Sequence, residues 1–347
     1  MQKVGIIGAG AWGTALAIVA REAGRDVCLW AREREVVAAV NDHHENPLFL
    51  QGVALDPAIR ATHDLGEAGA ADMVLLAVPA QFLRGVLSEA SPAWPDRLPA
   101  VVCAKGIERD SCLLMSEVVA EVVPAAPVAV LAGPSFAGEV ARRRPTAVTL
   151  ACADAGLLQT IASALNTTLF RIYAHDDVVG AGIGAAVKNV LAIACGIVEG
   201  RGLGESARAA LITRGLAELA RLARAKGART ETLMGLACLG DLVLTCTSMQ
   251  SRNYALGVAL GRGESLDRFL AGRRSVAEGA FSASSVSALA RRHGLDMPIC
   301  FAVDTVINHG ADIDAVIADL LARPPAAERP AGVDVRAGEE GSNPCCS

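Results

Sequence analysis

Residues 3–17 read KVGIIGAGAWGTALA, and this stretch decides the fold. A short apolar run, Val4 to Ile7, enters Gly8-Ala9-Gly10-Ala11-Trp12-Gly13, and a helical run leaves it. Glycines at the first, third and sixth places of a strand–turn–helix passage form a dinucleotide-binding fingerprint. Gly8 permits the tight turn, Gly10 lets a pyrophosphate approach the backbone, and Gly13 lets the helix pack on the strand. The first amides of the helix favour phosphate charge because nothing within the helix pairs them. A glycine-rich turn without a ligand is the alternative, and the flanking strand and helix weigh against it.

Further strand patterns follow at 26–30, 73–78, 100–104, 128–132, 147–151 and 169–173, many separated by helical stretches. Such alternation predicts a mostly parallel sheet covered on both faces. After Asp176 the character changes. Helices are predicted at 178–199, 205–226, 230–237, 251–260, 281–293, 298–308 and 313–322, with no convincing strand among them. The expected fold class is therefore an α/β, Rossmann-type doubly wound domain at 1–178, then an all-α domain at 179–322. Residues 323–347 are rich in Pro, Gly and charge, and are expected to be disordered. Their Cys345 and Cys346 do not make a prenylation signal, because the fourth residue from the end is Pro344.

A net charge of −5 gives no global reason to expect nucleic acid or an anionic membrane surface as partner. Basic runs at 142–144, 273–274 and 291–292 read as solvated faces. Ten cysteines lack CxxC spacing and six histidines form no ligand set, so no metal is expected. Without a secretory signal ahead of the first strand, the thiols are expected to be reduced and the protein cytoplasmic.

One cation stands out. Only four of the 32 basic residues are lysine: Lys3, Lys105, Lys188 and Lys226. Lys188 is the only charged side chain in VVGAGIGAAVKNVLAIACGIV, residues 178–198. That stretch has the length of a membrane span. A central lysine there costs about 2.5–3.5 kcal/mol on insertion scales, so a helix buried between domains is the better reading. Arginine stays protonated at working pH, whereas a desolvated lysine can trade its proton. Lys188 is thus a candidate proton-transfer group, with a lysine snorkelling to the surface as the alternative.

Other segments carry chemistry unusual for their surroundings. Lys105, in VCAKG at 102–106, stands at a strand's carboxyl end, where doubly wound sheets place ligands. Gly133-Pro134-Ser135-Phe136-Ala137 follows a strand and opens a helix. It could face an anion, or Ser135 could be an ordinary N-cap. Asp241 lies in the apolar run LGDLVLTC at 239–246 and needs a partner, for which Lys188 is available. Ser251-Arg252-Asn253 opens a helix, and Arg252 there could grip a phosphate. At the end of the second strand Arg32 stands where Asp or Glu usually holds a ribose 2′-hydroxyl. Arginine can accept a 2′-phosphate, so the reading leans to NADP(H). Glu33 beside it leaves NAD(H) open, as do two merely solvated arginines, Arg32 and Arg34.

Taken together, GAGAWGTALA at 8–17, AKG at 104–106, GPSFAGEVA at 133–141, GAAVKNVLAIACGIVEG at 184–200, ALITRGLAE at 210–218, LGDLVLTCTS at 239–248, QSRN at 250–253 and VAEG at 276–279 closely resemble bacterial-type NAD(P)-dependent glycerol-3-phosphate dehydrogenase in order and spacing. The resemblance spans residues 3–322 and stops short of the tail. It implies a helical C-terminal domain like that of 6-phosphogluconate dehydrogenase, and a homodimer. It also implies reversible reduction of dihydroxyacetone phosphate to sn-glycerol 3-phosphate for phospholipid synthesis. Lys188 matches the acid/base lysine. Lys105, Gly133, Ser135, Asp241, Ser251, Arg252 and Asn253 match positions around the substrate, with Arg252 on its phosphate. Ala11, Trp12, Arg32, Lys105, Ala137, Arg252, Val276 and Glu278 match positions lining the dinucleotide. Ala11, Cys238 and Ala277 depart from the residues common there (Ser, Gly and Val), and none of these changes removes a catalytic group. A β-hydroxyacid or 6-phosphogluconate-type dehydrogenase is the rival enzyme, and a dinucleotide sensor without turnover the rival of another class.

Overall fold

The computed structural model describes residues 1–271 and 277–324. Among the described residues ten strands are formed: β1 (Lys3–Ile7), β2 (Asp26–Trp30), β3 (Glu45–Asn46), β4 (Leu50–Ala54), β5 (Arg60–Thr62), β6 (Met73–Leu76), β7 (Ala100–Val102), β8 (Val128–Ala132), β9 (Thr146–Cys152) and β10 (Phe170–His175). Eight of them make one sheet in the order β10-β9-β8-β7-β6-β1-β2-β5, while β3 and β4 pair apart from it. β1 lies between β2 and β6, parallel to both, with Val4 opposite Val27 on one side and Met73 on the other. The chain winds one way from β1 to β2 and the other way to β6, so a crevice opens at the carboxyl ends of β1 and β6.

Two features were not legible in the pattern. β3, β4 and β5 are short, and β4 alternates irregularly between buried and exposed. β9 runs antiparallel to β8. The connection between them carries only the short helix Ala137–Ala141, too little for the crossover that parallel pairing needs.

Alternate residues of the strands feed two cores. Met73, Leu75 and Val101 join the helix Ala11–Glu22 on one face. Val74, Leu76 and Val102 join the helix Val178–Gly200 on the other. That helix is long and apolar enough to cross a membrane, yet 94% of its apolar window is buried inside the fold. Asp177 starts it by accepting a hydrogen bond from the Gly180 amide at 2.8 Å. The helix Arg252–Gly261 crosses it in backbone contact. A Cβ on Gly196 would stand 2.2 Å from the Tyr254 carbonyl oxygen, and one on Gly257 would stand 2.1 Å from that of Ile193.

Among the described residues after Val178 there are helices and no strand. The expected helix at 230–237 stops at Leu233, because Gly235 takes an extended conformation (ψ −177°). A π-helical turn, Leu236–Gly240, then leads into a separate helix, Asp241–Cys246. This break places Asp241 at the start of a helix whose side faces Lys188. The basic pair at 273–274, Val276 and residues 325–347 lie outside the described residues.

Candidate active site

The glycine turn forms one wall of a cleft of about 910 Å³. Gly8 takes φ +116°, and a Cβ there would stand 2.7 Å from the Val78 amide nitrogen. A Cβ on Gly13 would stand 1.8 Å from the Gly8 carbonyl oxygen, so helix and strand touch through backbone. Gly10 meets nothing on its open side. No side chain caps the helix Ala11–Glu22, so its first amides are free. The buried indole N–H of Trp12, which lines the cleft, has no partner among the described residues. Open backbone, uncapped amides and an unsatisfied buried donor fit a phosphate-bearing dinucleotide.

The opposite wall is helical. Lys188 is 5% exposed, and its Nζ donates to Asp241 Oδ1 at 2.7 Å and to Thr245 Oγ1 at 2.8 Å. From the sheet side Lys105 Nζ donates to Asp241 Oδ2 at 2.9 Å and to the Gly133 carbonyl oxygen at 3.2 Å. Asp241, 1% exposed, thus bridges two ammoniums. Burial pushes the Asp241 carboxyl up, but the Lys105 and Lys188 charges outweigh this and hold it below the usual carboxylate range. Lys188 is lowered as well, but in its case burial is the winning cause. Burial, aided by the Lys105 charge, overcomes the attraction of Asp241 and lowers its ammonium to about 8. Two positive charges share one negative partner, so the site favours losing a proton.

Ser135 is not the N-cap. Phe136 takes that place, and Ser135 Oγ donates to the Gly133 carbonyl oxygen at 3.0 Å. Ser251 caps the helix Arg252–Gly261, its Oγ accepting from the Tyr254 amide at 3.2 Å. Asn253 Nδ2 donates to Asn189 Oδ1, and Asn253 Oδ1 accepts from the Gly279 amide, both at 2.9 Å. Its side chain therefore braces Arg252 and ties it to the helix Glu278–Arg292. Arg252 is exposed to the cleft, where surrounding protein disfavours its charge and Glu278 favours it. Burial raises the Glu278 carboxyl to about 7, against the opposing pull of the Ala80 amide and Arg252. Glu278 Oε1 accepts from that amide at 3.3 Å, across the cleft.

Ala11, Ala137 and Arg32 also line the cleft, whereas Gly13 and Gly133 stand just behind its surface. Arg32 is paired at 3.2 Å with Glu33, and its side chain is 75% exposed. Arg34 opens the helix Arg34–Ala38 outside the lining. The lining residues missed from the sequence include three polar ones, Asn189, Thr245 and Gln250. Thr245 follows Asp241 by one helical turn and could have been found from that spacing. Gln250 reaches across to Glu139 at 2.8 Å, a contact no local pattern signals. Cys238 is fully buried and its thiol is pushed up to about 12, so it adds bulk beside the turn and no reactive thiolate. Among the described residues no cluster of three or more His, Cys, Asp or Glu could hold a metal.

A Rossmann-type sheet whose phosphate-binding turn faces a buried lysine–aspartate pair from a helical domain defines the architecture of a dinucleotide-dependent dehydrogenase. The chain matches the NAD-dependent glycerol-3-phosphate dehydrogenase N-terminus over residues 3–158 and the C-terminus of the same family over 177–318. It is 60% identical to glycerol-3-phosphate dehydrogenase [NAD(P)+] of Rhodospirillum rubrum, covering 93% of each chain. It is 57% identical to the enzyme of that name from Parvibaculum lavamentivorans, over 93% of this chain and 97% of the relative. The crystal structure of glycerol-3-phosphate dehydrogenase from Coxiella burnetii superposes with a TM-score of 0.89 at 38% identity, covering 93% of this chain and 99% of the other. The chain belongs to the NAD-dependent glycerol-3-phosphate dehydrogenase family.

Proposed function

We propose that this chain catalyses reversible reduction of dihydroxyacetone phosphate to sn-glycerol 3-phosphate, supplying the glycerol phosphate backbone of phospholipids. The observation that carries the reading is the buried Lys188–Asp241–Lys105 cluster facing the glycine turn across one cleft. A nicotinamide dinucleotide held along Gly8–Gly13, with Ala11, Trp12, Arg32, Ala137 and Glu278 around it, would supply the hydride. Val276, outside the described residues, is assigned to the same site.

As the carbonyl is reduced, negative charge develops on its oxygen. Lys188 donates a hydrogen bond and then its proton to that oxygen, and takes the proton back in the reverse direction. A group with a pKa of about 8 serves both directions near neutral pH. Asp241 and Thr245 hold the ammonium in place. Lys105 adds positive charge beside the developing oxyanion. Arg252, braced through Asn253 and presented by Ser251 at a helix N-terminus, binds the substrate phosphate and fixes the carbonyl. Ser135 completes the substrate wall, with the Gly133 carbonyl holding Ser135 and Lys105 from behind.

Mixing purified protein with dihydroxyacetone phosphate and following NADPH, then NADH, by absorbance tests the reading. Rapid oxidation supports it. Binding of both cofactors without turnover contradicts it, and a panel of hydroxyacids and keto acids then identifies the rival. We assign NADP(H) as the preferred cofactor and NAD(H) as an alternative, on Arg32 at the end of β2. Arg32→Glu is expected to lower the ratio of NADPH to NADH efficiency about tenfold or more, through loss of one charge-assisted contact and gain of a repulsive one. An unchanged ratio would remove Arg32 from this role. We further place the domain boundary at residue 178, with 179–322 as the substrate and dimerisation domain, and expect a cytoplasmic homodimer.

A further inference from the structure

We propose that Asn46 is a positioning residue for the cofactor turn. Its side chain holds the Ala9 carbonyl on the far side of the turn and so aims the Gly10 amide into the cleft. The inference rests on the dinucleotide reading above. Asn46 lies in β3, outside the main sheet, and is fully buried at 0% exposure. Its Nδ2 donates to the Ala9 carbonyl oxygen at 2.8 Å and to Thr14 Oγ1 at 2.9 Å. Thr14 Oγ1 in turn donates to the same carbonyl at 3.3 Å. One carbonyl, in the middle of Gly8-Ala9-Gly10, therefore receives two side-chain hydrogen bonds. Neither donor lines the cleft.

The peptide plane gives this arrangement its consequence. In a trans peptide the carbonyl and the following N–H point in opposite directions. Fixing the Ala9 carbonyl on Asn46 and Thr14 turns the Gly10 N–H the other way, towards the cleft. A flipped peptide would present a carbonyl oxygen to an anionic ligand. Glycine flanks Ala9 on both sides, and glycine allows such rotations at little steric cost, so the turn needs an anchor from elsewhere. Asn46 also reaches the opposite side of the opening. Its Oδ1 accepts from the Phe49 amide at 3.1 Å, and Leu48 and Phe49 line the cleft. One buried amide thus joins the phosphate turn to the segment that faces it.

The test is equilibrium binding of NADPH, read by quenching of protein fluorescence, with no turnover involved. Asn46→Asp keeps the size and the acceptor for Phe49 but sets an oxygen against the Ala9 carbonyl. NADPH affinity is expected to fall about tenfold or more, the scale of one buried hydrogen bond lost and replaced by oxygen facing oxygen. Binding of adenosine 2′-monophosphate, which lacks the pyrophosphate, is expected to change less than about twofold, since it does not use the Gly10 amide. The NADPH affinity of this variant should recover at acid pH, where the carboxyl takes a proton and donates again. Thr14→Val, which removes one of the two donors, should give a smaller loss of the same kind and serves if Asn46→Asp does not fold. A folded variant with unchanged NADPH affinity overturns the proposal, and so does an equal loss for both nucleotides without recovery in acid. Failure of the unaltered protein to bind any dinucleotide would instead overturn the cofactor reading itself.

Discussion

Lys188→Arg is expected to keep the fold and NADPH binding and to lose about a hundredfold to ten-thousandfold in kcat, the range spanned by general acid–base groups. Arginine preserves the positive charge that Asp241 pairs with, so the buried carboxylate is not left alone. It cannot give up a proton at working pH, and its planar guanidinium cannot reproduce the compact donation of Lys188 to both Asp241 and Thr245. The comparison therefore separates charge from proton transfer. Lys188→Met, which removes both and leaves Asp241 paired with Lys105 alone, should be at least as inactive and less stable. Near-normal turnover in Lys188→Arg would show that another group or water moves the proton.

Arg252→Ala is expected to reduce kcat/KM for dihydroxyacetone phosphate by about a hundredfold or more, with NADPH affinity closer to normal. Loss of a phosphate grip removes binding energy that orients the carbonyl, and small misplacements at a reacting centre cost on the order of a hundredfold. The arginine lies in a partly desolvated part of the cleft, where a charge-assisted bond is stronger than in water. A matching control is dihydroxyacetone without its phosphate. The variant and the unaltered protein should use it equally poorly. A large loss of NADPH affinity with unchanged use of the phosphate substrate would move Arg252 to the cofactor.

Much of the architecture could be read from local signals, because each has a local cause. The glycine turn, the apolar strand runs and the switch to helical periodicity after Asp176 all have short-range origins. The Lys188–Asp241 pairing was also accessible, since each is a charge placed in an apolar run that must find a partner. What escaped was set by distant contacts. The helix Asp241–Cys246 was invisible because Gly235 and Gly240 interrupt the pattern around it. Asn46 gave no local signal, because its partners, Ala9 and Thr14, lie far back in the chain. The balance of burial against attraction at Lys188 needed Lys105 in place, and that charge comes from another strand end.

The most direct test is the pH dependence of kcat/KM, which reports groups of the protein before substrate binds, in both directions for the unaltered protein. Reduction needs Lys188 protonated, so its rate should be full below about pH 8 and fall about tenfold per unit above it. Oxidation of sn-glycerol 3-phosphate needs Lys188 neutral, so its rate should rise with pH and level off above about 8. Opposite limbs meeting near that value would establish a lysine with a lowered pKa as the proton carrier. A reduction rate that stays flat well beyond pH 8 would contradict the role given to Lys188.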